Sequence, residues 1–146
     1  MRRQLCVGVI LLLGLGATAI RAEAQTRTDD RDRGFQLFQN YPNPFNPVTR
    51  IPFYLGPELF DRGQPVRVTI RIFGVLHQLV AVPTALDHAE GNGARIENLE
   101  YASPGQHVAY WDGLDRNGNE VGSGLYIVLL EVNGRKARTL KMTVSK

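Results

Sequence analysis

Apolar side chains in this sequence recur at every second residue. Val66, Val68, Ile70 and Ile72 alternate with Arg67, Thr69 and Arg71, which in a pleated strand gives one apolar and one polar face. Ile51, Phe53 and Leu55 alternate with Arg50, Pro52 and Tyr54, and His107, Ala109 and Trp111 share one face of a further strand. Near the end, Leu140, Met142 and Val144 alternate with Thr139, Lys141, Thr143 and Ser145. A helix would bury residues spaced near 3.6, so the period points to sheet.

One stretch differs. Leu125 to Val132, LYIVLLEV, is apolar on both faces until Glu131. A helix fits its length, but Ser123-Gly124 before it, Asn133-Gly134 after it and its Val, Ile and Tyr content favour a strand. Apolar on both sides, it is expected to be central in its sheet or to face a second packed layer. Asn133-Gly134 is a two-residue hairpin signal joining it to the last strand. The resulting expectation is all-β: an immunoglobulin-like antiparallel β-sandwich of about seven strands. There is no Cys-Trp-Cys framework, and residues 84–104 read as a long loop or small hairpin.

The start of the chain reads as an export signal. Met1-Arg2-Arg3 is positive, Leu5 to Ile20 is an almost unbroken apolar run of 16 residues, and Ala22-Glu23-Ala24 offers the small-x-small pattern cut by signal peptidase. The run is short of the ~20 residues that span a bilayer. Cleavage is expected after Ala24, leaving 1–24 as signal peptide, 25–34 as a charged flexible tether and 35–146 as one domain. Cys6 would leave with the signal, so disulfides and thiol chemistry are excluded from the mature chain. Losing Arg2, Arg3, Arg21 and Glu23 leaves 14 basic and 13 acidic residues. A net charge of +1 with no basic cluster argues against nucleic acid as a partner.

No catalytic constellation is visible. His77, His88 and His107 are scattered and read as surface or turn residues. Ser103 and Ser123 lack a nucleophile-elbow context, and Gly91-Asn92-Gly93 lacks the lysine of a phosphate loop. Asp115, Asn117 and Asn119 are spaced like ligands of a calcium loop, but Glu120 stands where such a loop needs glycine and the closing glutamate is missing. A tight turn, with Asn117-Gly118 supplying positive φ, is the better reading. Trp111 is expected in the core. No enzyme activity, cofactor or small-molecule substrate is expected.

QNYPNPFNP, residues 39–47, carries Pro42, Pro44 and Pro47. Each proline fixes its own φ and pushes Tyr41, Asn43 or Asn46 out of the helical region. Such a stiff, extended segment loses little entropy when Tyr41 and Phe45 press against the sandwich. It reads as a lead-in strand over one end of the core, as a recognition element guarding a free sheet edge, or as both.

The order LFQNYPNPFNPVTRIPFYL, VRVTIRIFGVLHQLV, GQHVAYWDGLDRNGNEVGSGLYIVLLEVNG, RTLKMTVSK resembles the type A C-terminal sorting domain of the type nine secretion system of Bacteroidota and relatives. That domain is itself similar to the immunoglobulin-like domain of the flagellar hook-capping protein. The resemblance covers residues 35–146. It implies a non-enzymatic address that takes an exported protein across the outer membrane to the cell surface. The implied partners are an outer-membrane translocon and a sorting peptidase, with attachment to a surface polysaccharide as a further step. By position, the sorting motif comprises Asn40, Pro42, Asn43, Pro44, Phe45, Asn46 and Pro47; Trp111, Asp112 and Gly113; Gly118; Ser123 and Gly124 with Tyr126; and Lys141 with Met142.

Two stretches depart from the family pattern. Phe73-Gly74-Val75-Leu76-His77-Gln78 has His77 where the family turn has glycine, and residues 84–104 are longer than the usual link. Only 25–34 lie between the cleavage site and the domain, so the chain is expected to be a small surface protein in its own right or part of a longer gene. The alternative function is a secreted immunoglobulin-like structural or adhesion module that binds protein or glycan through the 84–104 loop.

Overall fold

The computed structural model describes residues 34–146, without the side chains of Ala137 and Arg138. The expected signal peptide, its expected cleavage residues Ala22 and Ala24, Cys6 and nearly all of the expected tether lie outside the described residues.

Nine strands are present among them: β1 Phe35–Leu37, β2 Thr49–Leu55, β3 Val66–Gly74, β4 Leu79–Ala81, β5 Thr84–Leu86, β6 Leu99–Tyr101, β7 Gly105–Trp111, β8 Gly124–Val132 and β9 Arg135–Val144. One short 3-10 turn, Pro57–Phe60, follows β2. The alternating stretches all became strands, because their period presents one continuous apolar face to a common core. The excess over the expected number comes from three-residue pieces. Two of them, β5 and β6, lie within the irregular 84–104 segment, which is therefore more ordered than its composition indicates.

All pairing between strands is antiparallel, in two sheets. The first runs β1-β2-β7-β5; the second runs β4-β3-β8-β9. β6 shares with β4 the edge of β3 that faces away from β8, pairing Val66 with Tyr101. Between the two, the Ile70 amide donates to the Ile96 carbonyl at 2.9 Å. The sheets close over one core that includes Phe35, Phe53, Ile70, Ile72, Trp111, Leu130 and Met142. The Asn133-Gly134 hairpin forms as expected, both residues having positive φ (48° and 76°), which fits the twist of the flanking strands.

β8 is central, between β3 and β9. Among the described residues its second face has no packed layer: Val128, Leu130 and Val132 are buried, whereas Ile127 and Leu129 are half-buried on the outside of the sheet. β9 is an edge strand, and its register against β8 shifts by one residue between Leu129 and Glu131. Such a bulge interrupts the row of unpaired backbone groups an edge otherwise offers to another chain.

Candidate functional site: the meeting of the two chain ends

One end of the sandwich gathers most of the motif residues. The segment leading into β2 runs beside the C-terminal half of β9 and hydrogen-bonds to its outer edge. The Phe45 amide donates to the Thr143 carbonyl and the Ser145 amide donates to the Phe45 carbonyl, both at 3.0 Å. The Thr143 amide donates to Asn43 Oδ1 at 3.0 Å, and Gln39 Nε2 donates to the Lys141 carbonyl at 3.1 Å. The prolines fit this role. They have no N–H to leave unpaired, so the segment guards the edge without offering a new one.

Asn40 ties the segment together from inside. Only 3 % exposed, it donates through Nδ2 to the Pro42 carbonyl at 3.1 Å and to Thr49 Oγ1 at 2.9 Å. Its Oδ1 accepts from Gln39 Nε2 at 2.7 Å, and the Thr49 hydroxyl donates to the same Pro42 carbonyl at 3.1 Å. These bonds offset the cost of burying the amide. Phe45 is buried and its ring lies 5.4 Å from that of Trp111. Tyr41 is not pressed against the core, contrary to expectation. Its backbone pairs with Arg50 in both directions at 2.9 Å, and its side chain is 49 % exposed. Pro42, Pro44, Asn46 and Pro47 are exposed.

Trp111 is buried as expected, with its Nε1 donating to the Leu114 carbonyl at 2.9 Å and its ring 5.6 Å from Tyr126. Asp112 Oδ1 accepts the Leu114 amide at 3.0 Å. Gly113 has φ +76° and sits so close to the Pro47 carbonyl oxygen that a Cβ there would collide with it. Here the WDG turn rests directly on the proline segment. The 115–119 loop is a turn: Asp115 Oδ1 accepts the amides of Asn117 and Asn119 at 2.8 and 3.0 Å. The Asn119 bond foremost holds the Asp115 carboxyl below its ordinary range. Gly118, at φ +82°, lies in this loop with open space around it. No group of three or more His, Cys, Asp or Glu residues able to hold a metal occurs among the described residues.

Gly124 pairs with Val144, and Tyr126 donates its hydroxyl to the Gly122 carbonyl at 2.9 Å. At the terminus, the Lys146 amide donates to Ser123 Oγ at 3.1 Å and its Nζ pairs with Glu120 at 2.9 Å. Met142 is fully buried, whereas Lys141 is exposed. Gln39, Thr49 and Ser123 complete the arrangement. Ser123 belongs to the motif. Gln39 and Thr49 are not legible as site residues in the sequence, because a polar residue flanking a proline run gives no sign of its partner across the sheet.

A second cluster gathers two histidines that the sequence scatters. His88 and His107 both pack on the Tyr101 ring, at 4.7 and 4.6 Å between centroids, and Phe53 stands 5.6 Å from it. They are half-buried rather than free surface residues. The Tyr101 hydroxyl is buried without a hydrogen-bond partner among the described residues, and burial raises its pKa. Burial lowers the pKa of His107, against the raising effect of its bond to the Ser103 carbonyl, and nearby His88 lowers it further.

Two antiparallel sheets around one core, with the last strand held by the entering segment, define an immunoglobulin-like β-sandwich. No family model matches the sequence, and no curated protein matches it. Among solved structures, dimeric latent PorU from Porphyromonas gingivalis is similar over 75 % of this chain, with a TM-score of 0.54 and 17 % identity. PorZ of the same organism, described as an essential bacterial surface component of the type-IX secretion system, gives a TM-score of 0.43 at 16 % identity over 83 %. The DNA glycosylase AlkC of Pseudomonas fluorescens gives 0.45 at 15 % over 77 %. This chain spans 9 % of the PorU chain, 13 % of PorZ and 31 % of AlkC. At such identities the PorU likeness is one of fold, and the two scores below 0.5 add nothing to it.

Proposed function

We propose that this chain is a non-enzymatic sorting domain, directing an exported protein across the outer membrane to the cell surface. In this reading a translocon recognises the end where the proline segment, the WDG turn and the C-terminal strand meet. A sorting peptidase then acts on the exported form, with attachment to surface polysaccharide as the final step. The observation that carries the reading is the row of bonds from Gln39, Asn43 and Phe45 to Lys141, Thr143 and Ser145. Motifs from the two ends of the domain form one surface, so a reader of that surface detects a folded, full-length domain. The exposed Lys141 side chain and the exposed Pro42, Pro44 and Asn46 are available there to a partner.

The test is fractionation, with intact-mass measurement, of cells that carry a type nine system and express all 146 residues. The expected result is a form lacking residues 1–24 in the periplasm and a shortened or polysaccharide-linked form outside. Deleting Lys141–Lys146 also removes Met142 and Val144 from the core, so Lys141→Glu is the cleaner variant. It leaves the buried face intact and is expected to hold the folded protein in the periplasm. Unprocessed protein retained at the surface, in wild type and variant alike, would instead favour the structural or adhesion module.

A further inference from the structure

Beside the WDG turn lies a cavity of about 330 Å³, lined by the link 82–84 between β4 and β5 and by parts of the 112–118 turn. Tyr110, Thr84 and Arg95 line it as one row: Thr84 pairs with Tyr110 on β7 and, on its other side, with Arg95. Directly paired residues share a face of the sheet. Their neighbours Ala85 and Ala109 are buried, so this row points outward. Arg116 joins from the turn, where its amide donates to the Val80 carbonyl at 2.9 Å.

Both arginines are thus carried on fastened backbone, and neither has an ion pair among the described residues. Two acids line the same cavity, but each is engaged by its own turn. Asp115 Oδ1 takes the amides of Asn117 and Asn119, and Asp112 Oδ1 takes that of Leu114. The second oxygen of Asp112 has no partner among the described residues. The lining therefore offers two forked cationic donors, one open carboxylate oxygen that only accepts, and the half-buried Tyr110 ring.

We infer that this cavity binds a hexuronic-acid residue of a glycan. Each part of such a sugar has a counterpart here. Its carboxylate suits the guanidinium forks, which grip planar anions through paired N–H donors. A ring hydroxyl donates to the open Asp112 oxygen, and the apolar face of the ring lies on Tyr110, apolar in its body and polar at its tip. Bonds from backbone amides compensate the Asp115 charge, so two cations face one open carboxylate and a ligand with one negative charge completes the balance. A neutral sugar leaves the arginines unmatched; an acidic peptide side chain leaves Tyr110 and Asp112 unmatched. The volume is at the small end for ligand pockets, which gives a dissociation constant on the order of 1 mM for a single sugar residue. The inference stands apart from the sorting reading, since the purified chain shows it without a secretion system.

The test is a nitrogen–proton NMR titration of the exported chain, purified from cells expressing all 146 residues, with methyl glucuronide up to roughly 20 mM. Saturable shifts are expected at Thr84, Arg95, Tyr110 and the 112–118 turn. Methyl glucoside and N-acetylglutamate, added separately, are each expected to bind at least about tenfold more weakly. Arg95→Ala and Arg116→Ala, both at exposed positions, are each expected to weaken glucuronide about tenfold. Arg62→Ala, in a separate cavity beside the Asn133-Gly134 hairpin, is expected to change nothing. No saturable shift at these residues, equal binding of the glucoside or of N-acetylglutamate, indifference to either cavity arginine, or loss on Arg62→Ala would overturn the proposal. Should an alanine variant fail to fold, the glutamine variant at that position reads the same contact.

Discussion

The backbone of Phe45 is hydrogen-bonded to Thr143 at 3.0 Å, fastening the segment that leads into the domain to its last strand. The same residue places its ring against Trp111, 5.4 Å away. One residue thus joins the edge lock, through its backbone, to the core, through its ring. Phe45→Ala is expected to cost about 3–5 kcal/mol, the usual penalty for emptying an aromatic site, measured by urea denaturation. Asn43→Ala should spare the core and expose only the Thr143 amide. Faster hydrogen exchange at Thr143, with β8 amides unchanged, is the expected signature. Equal loosening across β8 and β9 would mean that the segment has no separate role as a lock.

Asn40 is the polar centre of the proline segment. Asn40→Ala leaves the buried Thr49 hydroxyl short of its donor and takes one of two donors from the part-buried Pro42 carbonyl, and should cost about 1–3 kcal/mol. Asn40→Asp keeps the acceptor but loses both Nδ2 donations, so it should not rescue. A thermal melt of the two variants decides the matter, and a drop of less than about 2 °C in either would count against this role.

Gly113 is held by its φ of +76° and by the Pro47 carbonyl oxygen. Gly113→Ala must move the WDG turn off the proline segment. The left-handed backbone alone costs about 1–2 kcal/mol, and the collision adds to it. Gly118→Ala, with a similar φ but open space, should show only the backbone penalty. The difference between the two melting points therefore measures the close approach by itself.

His77 occupies a left-handed position, φ 62°, between the Gly74 carbonyl that its amide bonds and the Gln78 that follows. His77→Gly should stabilise the domain by about 0.5–1 kcal/mol, the backbone relief outweighing glycine's greater freedom in the unfolded chain. A lower urea midpoint for the variant would show that the histidine contributes contacts of its own.

Acidification is expected to weaken the domain through His107. Its lowered pKa means the folded chain takes up this proton less readily than the unfolded chain does. The neutral-histidine contribution is therefore full above about pH 6.5 and is lost as pH falls through the lower folded value. Melting temperature should fall between pH 7.5 and 5, and His107→Gln should flatten that part of the curve. Asp115 and Glu120, whose pKa values are also lowered, act at more acidic pH and should leave this window untouched.

The sequence by itself determined the five long strands β2, β3, β7, β8 and β9, the Asn133-Gly134 hairpin, the turn at Asp115 and the burial of Trp111. Each rests on forces acting over a few residues: alternation of side chains, positive φ, or an aspartate bonding the amides just after it. Only the tertiary structure decided that the two faces of β8 differ. Apolarity on both faces is a property of the strand, but whether a second layer covers the outer one depends on what the rest of the chain has left to place there. It likewise decided that Asn43 and Phe45 meet Thr143, that Tyr41 stays outside while Phe45 goes in, and that His88 and His107 share one tyrosine. Those pairings join residues far apart in sequence, and they are fixed by how two twisted sheets pack, which no local pattern encodes.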